Sequence, residues 1–414
     1  MWTRPGKLTV TFLAAAAAGG WLSSVGCGGV DNASTDSEEA AQTAKKPKFP
    51  VDAPCTLCVA DGDCASGVCA QFQGDTFCAA KCTSSSNCKA DETCSSATST
   101  HGKAEKVCVP STDVCGTSPT PPSGGTGPVG DFGSITGHVD QGGGSLSRLQ
   151  FAVVGDTRPP TINDTRGYPS ATIRQIYTDI TAMNVPFVVT SGDYIFSTGN
   201  GTQATPQFDL YIAARNLYPG PVFPALGNHE CDGNVTSNCG AGAKTGVTAN
   251  YTAFLSKMLA PIGQTNPYYS IDVNAQDASW TAKFVFVAAN AWSPAQDAWL
   301  RKVLAKPTTY TFIVRHEPSQ AATAPGVKPS EQIMAQYPYT LAIVGHTHTY
   351  GKTGPRQVTI GNGGAPLVSG SNFGFGLVNQ RPDKAIEVDV IDLASGKADT
   401  AFRFALNPDG SPAP

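Results

Sequence analysis

Residues 341–350 read Leu-Ala-Ile-Val-Gly-His-Thr-His-Thr-Tyr. A continuous apolar run closed by Gly345 predicts a buried strand that feeds a tight turn. The turn then offers His346 and His348 at a sheet edge, where open α/β sheets hold their ligands. Side chains two apart in extended chain share a face, but a strand-to-turn transition scatters them, so both imidazoles reach one centre only if the backbone bends. Gly345 is the residue expected to supply that bend. The same grammar occurs twice upstream. Ala225-Leu226-Gly227-Asn228-His229-Glu230 and Phe312-Ile313-Val314-Arg315-His316 also run from apolar to ligating residues, and four of the 6 histidines fall in these three stretches.

Working outward, the pattern is that of an α/β domain beginning at Arg148. Strands are predicted at 149–154, 186–190, 222–226, 284–289, 310–314 and 341–344, with later ones near 357–360, 385–391 and 400–405. Helical spacing marks 170–183, where Ile173, Ile176, Tyr177 and Ile180 recur at three and four residues, and helices are also expected at 208–217 and 296–304. Apolar strands alternating with helices imply a sheet covered on both faces. Two further strands end in Gly-Asp, at Asp156 and Asp193. Five strand ends therefore carry carboxylate, amide or imidazole groups: Asp156, Asp193, Asn228 with His229, His316, and His346 with His348. Mixed oxygen and nitrogen donors suit zinc, iron or manganese better than calcium or a thiolate metal.

The ordered series GD, GD, GNHE, H, GHTH resembles the calcineurin-like metallophosphoesterase superfamily, which includes the purple acid phosphatases. The resemblance spans roughly 148–375, and Gln296-x-x-Trp299-Leu300 and Gly361-Asn362-Gly363-Gly364 fit it too. It implies a two-sheet sandwich flanked by helices and a dinuclear site hydrolysing a phosphate ester through a metal-activated hydroxide. By position, Asp193 bridges two metals (zinc, iron or manganese). Asn228, His316 and His346 complete one site, and Asp156 and His348 serve the other. His229 sits beside the phosphate to stabilise charge or protonate the leaving oxygen, and Glu230 orients it. The family's first motif usually has histidine two residues after the aspartate, where this chain has Arg158. The tyrosine that serves purple acid phosphatases three residues past the second aspartate is replaced by Phe196. The first site is thus one protein ligand short, with Tyr194 as a candidate substitute. Arginine stays protonated and cannot ligate a metal, so Arg158 is expected to grip a phosphate oxygen or to pair with a nearby carboxylate. The loops 161–170, 195–206 and 233–250 are expected to set selectivity.

The remaining chain is different in kind. Arg4 and Lys7 precede an apolar run from Leu8 to Ala18, the signature of a secretory signal over 1–26. Ser24-Val25-Gly26-Cys27 resembles a bacterial lipoprotein cleavage box with Cys27 lipidated, which implies export and a membrane anchor in the cell envelope; the alternative is ordinary signal cleavage nearby, leaving Cys27 unmodified and the protein secreted. Residues 27–54 read as a tether with little to bury. Ten of the 13 cysteines crowd 55–115, and eight of them form two echoing runs, Cys58, Cys64, Cys69, Cys78 and then Cys82, Cys88, Cys94, Cys108, with Cys55 before and Cys115 after. An even set in an exported chain predicts a disulfide-stapled module; a zinc reading is weaker because only His101 is near. Cys231 and Cys239 then remain to pair with each other and close the loop after GNHE. Residues 116–147 read as a Gly/Pro/Ser linker, 148–406 as the phosphoesterase domain and 407–414 as a tail. Charged residues are 14% and the net charge is −4, so bulk electrostatics attract no nucleic acid. The implied partners are a phosphate-ester substrate and, through the anchor, a membrane. A second reading stays open: a catalytically degenerate surface binding protein that works through the cysteine-rich module.

Overall fold

The computed structural model describes residues 61, 64, 68–72, 75–88, 92–99, 102–110, 134–233, 238–399 and 402–414. The signal, Cys27, the tether, Cys55, Cys58 and Cys115 lie outside them. The cysteine-rich module is a four-stranded sheet. Its strands are β1 (Cys69–Phe72), β2 (Asp75–Cys78), β3 (Glu92–Ser99) and β4 (Ala104–Pro110), in the order β2-β1-β3-β4. The echo seen in the cysteine spacing is an echo in three dimensions. In each run the third and fourth cysteines face one another across a hairpin, Cys69 with Cys78 and Cys94 with Cys108. The second and fourth are bonded in each, as Cys64–Cys78 and Cys88–Cys108, and Cys82–Cys94 adds a further staple. A core of Val68, Ala70, Ala79, Ala97, Val107 and Val109 is too small to hold such a unit alone, which is why it is stapled.

The larger domain opens with β5 (Gly137–Asp140), β6 (Gly143–Leu146), β7 (Gln150–Val154), α1 (Ser170–Ala182), β8 (Val188–Thr190), α2 (Ala204–Arg215), β9 (Val222–Pro224) and α3 (Ala249–Phe254). It continues with β10 (Tyr269–Ala275), β11 (Thr281–Val287), α4 (Pro294–Leu304), β12 (Tyr310–Arg315), α5 (Val327–Met334), β13 (Leu341–Val344), β14 (Tyr350–Gly354) and β15 (Gln357–Ile360). The last strands are β16 (Gly374–Gln380), β17 (Ile386–Asp392), β18 (Lys397–Ala398) and β19 (Phe404–Leu406). One sheet runs β14-β15-β13-β12-β11-β10-β6-β5 and the other β18-β17-β16-β7-β8-β9, with β19 on β17. They pack face to face through aromatic side chains: Phe151 of β7 meets Phe284 of β11 and Phe312 of β12 edge-on, at 4.9 and 5.0 Å between centroids. Outside the first sheet, Leu300 and Leu304 of α4 and Ile333 and Met334 of α5 pack on Val285, Val287 and Ile313. The two-sheet sandwich with flanking helices is therefore the observed fold.

Three differences from the sequence reading have plain causes. The glycine run at Gly142–Gly144, within the stretch read as linker, forms the β5–β6 hairpin, because β6 pairs in parallel with β10 and the larger sheet supplies the partner. Strand β10 was not expected; its Tyr-Ser-Ile-Asp-Val-Asn-Ala sequence buries alternate residues, a period-two signal diluted by three polar positions. The final residues are tied back, with Thr340 donating its hydroxyl to Pro408 O at 2.6 Å.

Candidate metal centre

The parallel strands β7, β8, β9, β12 and β13 all end at one rim, and each releases a ligating residue there. The turns are tight. Asp156, Asp193, His346 and His348 all adopt left-handed backbone, with φ of 57°, 59°, 74° and 47°. Such conformations are unfavourable for side-chain-bearing residues and cluster where function over-determines them. The bend after β13 is therefore made by the histidines themselves, not by Gly345 as the sequence suggested. Gly345 is needed for another reason: a Cβ there would collide with the Asp156 carboxylate and the Ser191 hydroxyl. Gly227 is likewise hemmed in by Asp193 and Glu230.

Two groups of donors form. Asp193, His316 and His346 bring ligating atoms within 4.8 Å of one another, and so do Asp156, Asp193 and His348. Asp193 belongs to both. In the first group His316 Nε2 lies 3.2 Å from Asp193 Oδ2, and His346 Nδ1 lies 3.2 Å from His316 Nε2 and 3.0 Å from Asn228 Oδ1. Two ring nitrogens and two oxygens converging at these distances suit a shared cation. Asp193 Oδ2 is fully buried and faces the His316 ring nitrogen. In the second group His348 Nε2 is 3.7 Å from Asp156 Oδ1.

Backbone contacts aim these side chains. His316 Nδ1 meets Ser191 O at 2.9 Å and His348 Nδ1 meets Pro366 O at 2.9 Å, so each ring turns its Nε2 inward. Both Asp156 oxygens accept the His346 N–H, at 3.0 and 2.9 Å. The Gly361–Gly364 loop lies beneath, with Gly363 N–H donating to Gly155 O and Ala365 N–H to Asp156 O.

Burial dominates the electrostatics. It raises the Asp156 carboxyl well above its ordinary pKa, and the neighbouring Asp193 charge adds to the effect. For Asp193 burial acts in the same direction, but His316, His229 and Arg158 outweigh it and hold this group below the carboxylate range. Burial would lower His316, yet Asp193 and Asp156 push it up to about 10. A cluster of mutually dependent charges of this kind is what a cation site requires.

His229 is buried, donates its backbone N–H to Asp193 Oδ1 at 3.2 Å, and has its ring edge-on to Phe196 at 4.5 Å. Arg158 lies across the same Phe196, 4.6 Å from the ring centroid, with Nε 3.9 Å from Asp193 Oδ2. Phe196 thus contacts both side chains. Tyr194 is no ligand: its hydroxyl bonds Thr190 Oγ1 at 2.5 Å and Ala225 O at 3.0 Å, and its ring packs among Tyr211, Phe208 and Phe254. Glu230 holds backbone groups. Its carboxylate accepts the N–H groups of Asp193, Tyr194, Ile195 and Gly227 at 2.8–3.3 Å, clamping two ligand-bearing turns together. Burial and the Asp193 charge raise its pKa to about 7.

Cys231 and Cys239 are disulfide-bonded. The Cys239 N–H donates to Asn290 O at 2.8 Å, which ties this loop to the end of β11. Four supports went unseen in the sequence. Asn250 of α3 donates Nδ2 to Ser197 O and His229 O, at 2.9 and 3.3 Å. Glu317 accepts Asn290 Nδ2 at 2.7 Å and Ala324 N–H at 2.7 Å. Ser191 and Pro366 act through carbonyls, for which side-chain identity carries no signal.

Residues 149–350 match the model of the calcineurin-like phosphoesterases. The protein carries a calcineurin-like phosphoesterase domain. Among solved structures, it is similar to the purple acid phosphatase from yellow lupin seeds, at 16% identity and TM-score 0.47, over 63% of this chain and 54% of that one. The protein thus spans about half the length of that relative. A dimetal phosphatase from Danio rerio is similar at 14% identity and TM-score 0.44, over 63% of this chain and 98% of that one. No curated protein matches the chain.

Proposed function

We propose that the protein is a metal-dependent phosphoesterase, exported and anchored to the cell envelope through lipidated Cys27. The observation that carries the catalytic part is the pair of donor groups sharing Asp193. Asp193, Asn228, His316 and His346 would hold one cation, and Asp156, Asp193 and His348 the other; zinc, iron and manganese fit the donors. When bound, such a pair supplies Lewis acidity and lowers the pKa of water. The chain's own groups do the rest. Arg158, fixed on Phe196, offers guanidinium N–H groups to a phosphoryl oxygen. His229, held by its backbone to Asp193 and by its ring to Phe196, gives the leaving oxygen a proton. Both phosphomonoesters and phosphodiesters fit this arrangement.

Export is supported by the signal-like segment and by four disulfides among the described residues. No helix among the described residues is long and apolar enough to cross a membrane, so the Cys27 lipid is the attachment proposed. Elemental analysis of the purified protein with hydrolysis of a chromogenic monoester and diester tests the enzyme. Two metals per chain and metal-dependent turnover are expected; neither, after incubation with zinc, manganese and iron, would leave the binding-protein reading. Cys27→Ser should release the protein from the membrane fraction.

A further inference from the structure

Three basic side chains converge on Asp193 Oδ2. Arg158 Nε stands 3.9 Å from it, His229 Nε2 3.8 Å and His316 Nε2 3.2 Å. His316 belongs to a donor group; Arg158 and His229 are the pair that face the substrate in the reading above. These two meet again on Phe196, three residues past Asp193. The Arg158 guanidinium lies over its ring, 4.6 Å from the centroid. The His229 ring stands at 73° to it, with centroids 4.5 Å apart. Positions 158 and 196, where the sequence departs from the family pattern, are therefore in contact.

Phe196 is held in turn by its backbone. Its N–H donates to Gln207 Oε1 at 2.6 Å, and Gln207 Nε2 donates back to Phe196 O at 3.1 Å. The Asn163 N–H donates to the same carbonyl at 2.7 Å, and Asn163 Oδ1 accepts the Thr198 N–H at 3.0 Å. Gln207 is fully buried on α2. Burying an amide is favourable only when its donors and acceptor are matched. Here both ends of the amide are matched to one residue, the one that carries the ring. A guanidinium held by a ring face is oriented without an acceptor having to occupy its N–H groups.

Resting on the phosphoesterase reading above, we propose that Gln207 and Phe196 are positioning residues: Gln207 fixes Phe196, and Phe196 sets the orientation of Arg158 and His229 toward the phosphoryl group. The test measures kcat and KM of the metal-loaded full-length protein for p-nitrophenyl phosphate and phenyl phosphate. Phe196→Leu should lower kcat/KM for p-nitrophenyl phosphate by roughly tenfold, the worth of a partly desolvated cation–π contact. The loss should be larger for phenyl phosphate, whose leaving oxygen depends more on a proton from His229. Phe196→Tyr, which keeps the ring, should recover most of the loss, and Gln207→Leu should reproduce the pattern more weakly. Arg158→Gln combined with Phe196→Leu should cost less than the product of the two single losses, because the ring then has one group fewer to orient. Bound metal should stay at the level of the unaltered protein in every variant. Unchanged kcat/KM in Phe196→Leu, equal losses on the two esters with a double variant that costs the full product, or metal lost from Phe196→Leu would each overturn the proposal and leave the phosphoesterase reading intact. Turnover of neither ester by the unaltered protein would overturn both.

Discussion

The two donor groups of the centre share an aspartate and little else. On the His316 side four donors converge at 3.0–3.2 Å separations, from the ends of β8, β9, β12 and β13. On the Asp156 side three donors gather more loosely, with His348 3.7 Å from Asp156, and a guanidinium stands 3.9 Å from the shared carboxylate oxygen. One group is a closed set of ligands. The other gives up a ligand and gains a fixed positive charge, which repels a cation and attracts an anion. The contrast assigns tight metal retention to the first group and substrate grip to the second.

The sharpest way to break this contrast is to remove what the groups share. Asp193→Asn should abolish both sites, costing several kcal/mol of transition-state stabilisation, roughly 10³-fold in kcat, and metal content should fall with it. Next, His346→Ala and His348→Ala should differ. Under equal chelator challenge, the His346 variant should lose retained metal by about 10–100-fold in affinity, and the His348 variant should keep one ion per chain; equal loss from both would remove the contrast. Arg158→Gln should leave the metal content intact and lower kcat/KM by roughly 10–100-fold, the worth of a charge-assisted hydrogen bond.

Proton release sharpens the same picture. His316 is pushed up to about 10, so it carries a proton at neutral pH before a cation arrives, and burial raises Asp156 in the direction that favours a proton there too. Cation binding must expel those protons, so affinity should fall as pH drops from 8 to 6. Calorimetric titration of zinc in buffers of different ionisation enthalpy would count the protons released. The smallest effect is expected from Cys231→Ser with Cys239→Ser. Closing so short a loop is worth about 2–3 kcal/mol, seen as a lower unfolding midpoint, with metal content preserved because neither cysteine is a donor.

How much of this was legible in the sequence can be judged residue by residue. Strand β13 and helix α1 lie where their apolar patterns put them, because burial on both faces of a strand, or one face of a helix, is written in local spacing. Strand β10 was hidden by its polar alternate positions. Tyr194 and Glu230 occupy strand-end positions as the ligands do, yet one hydroxyl points into the core and one carboxylate serves four backbone N–H groups. Position along the chain does not reveal direction in space.

The sequence by itself determined the chemistry available: carboxylate, amide and imidazole donors at the ends of apolar strands, Arg158 in place of a ligand, and cysteines in two echoing runs. Those are matters of composition and short-range order. Only the tertiary structure decided that Glu230 clamps two of the ligand-bearing turns, that Phe196 seats Arg158 and His229, and that four ligand-bearing residues take left-handed backbone. The physical reason is distance along the chain. Asp156 and His346 meet across 190 residues, and nothing local in either stretch specifies that meeting; the packing of two sheets does.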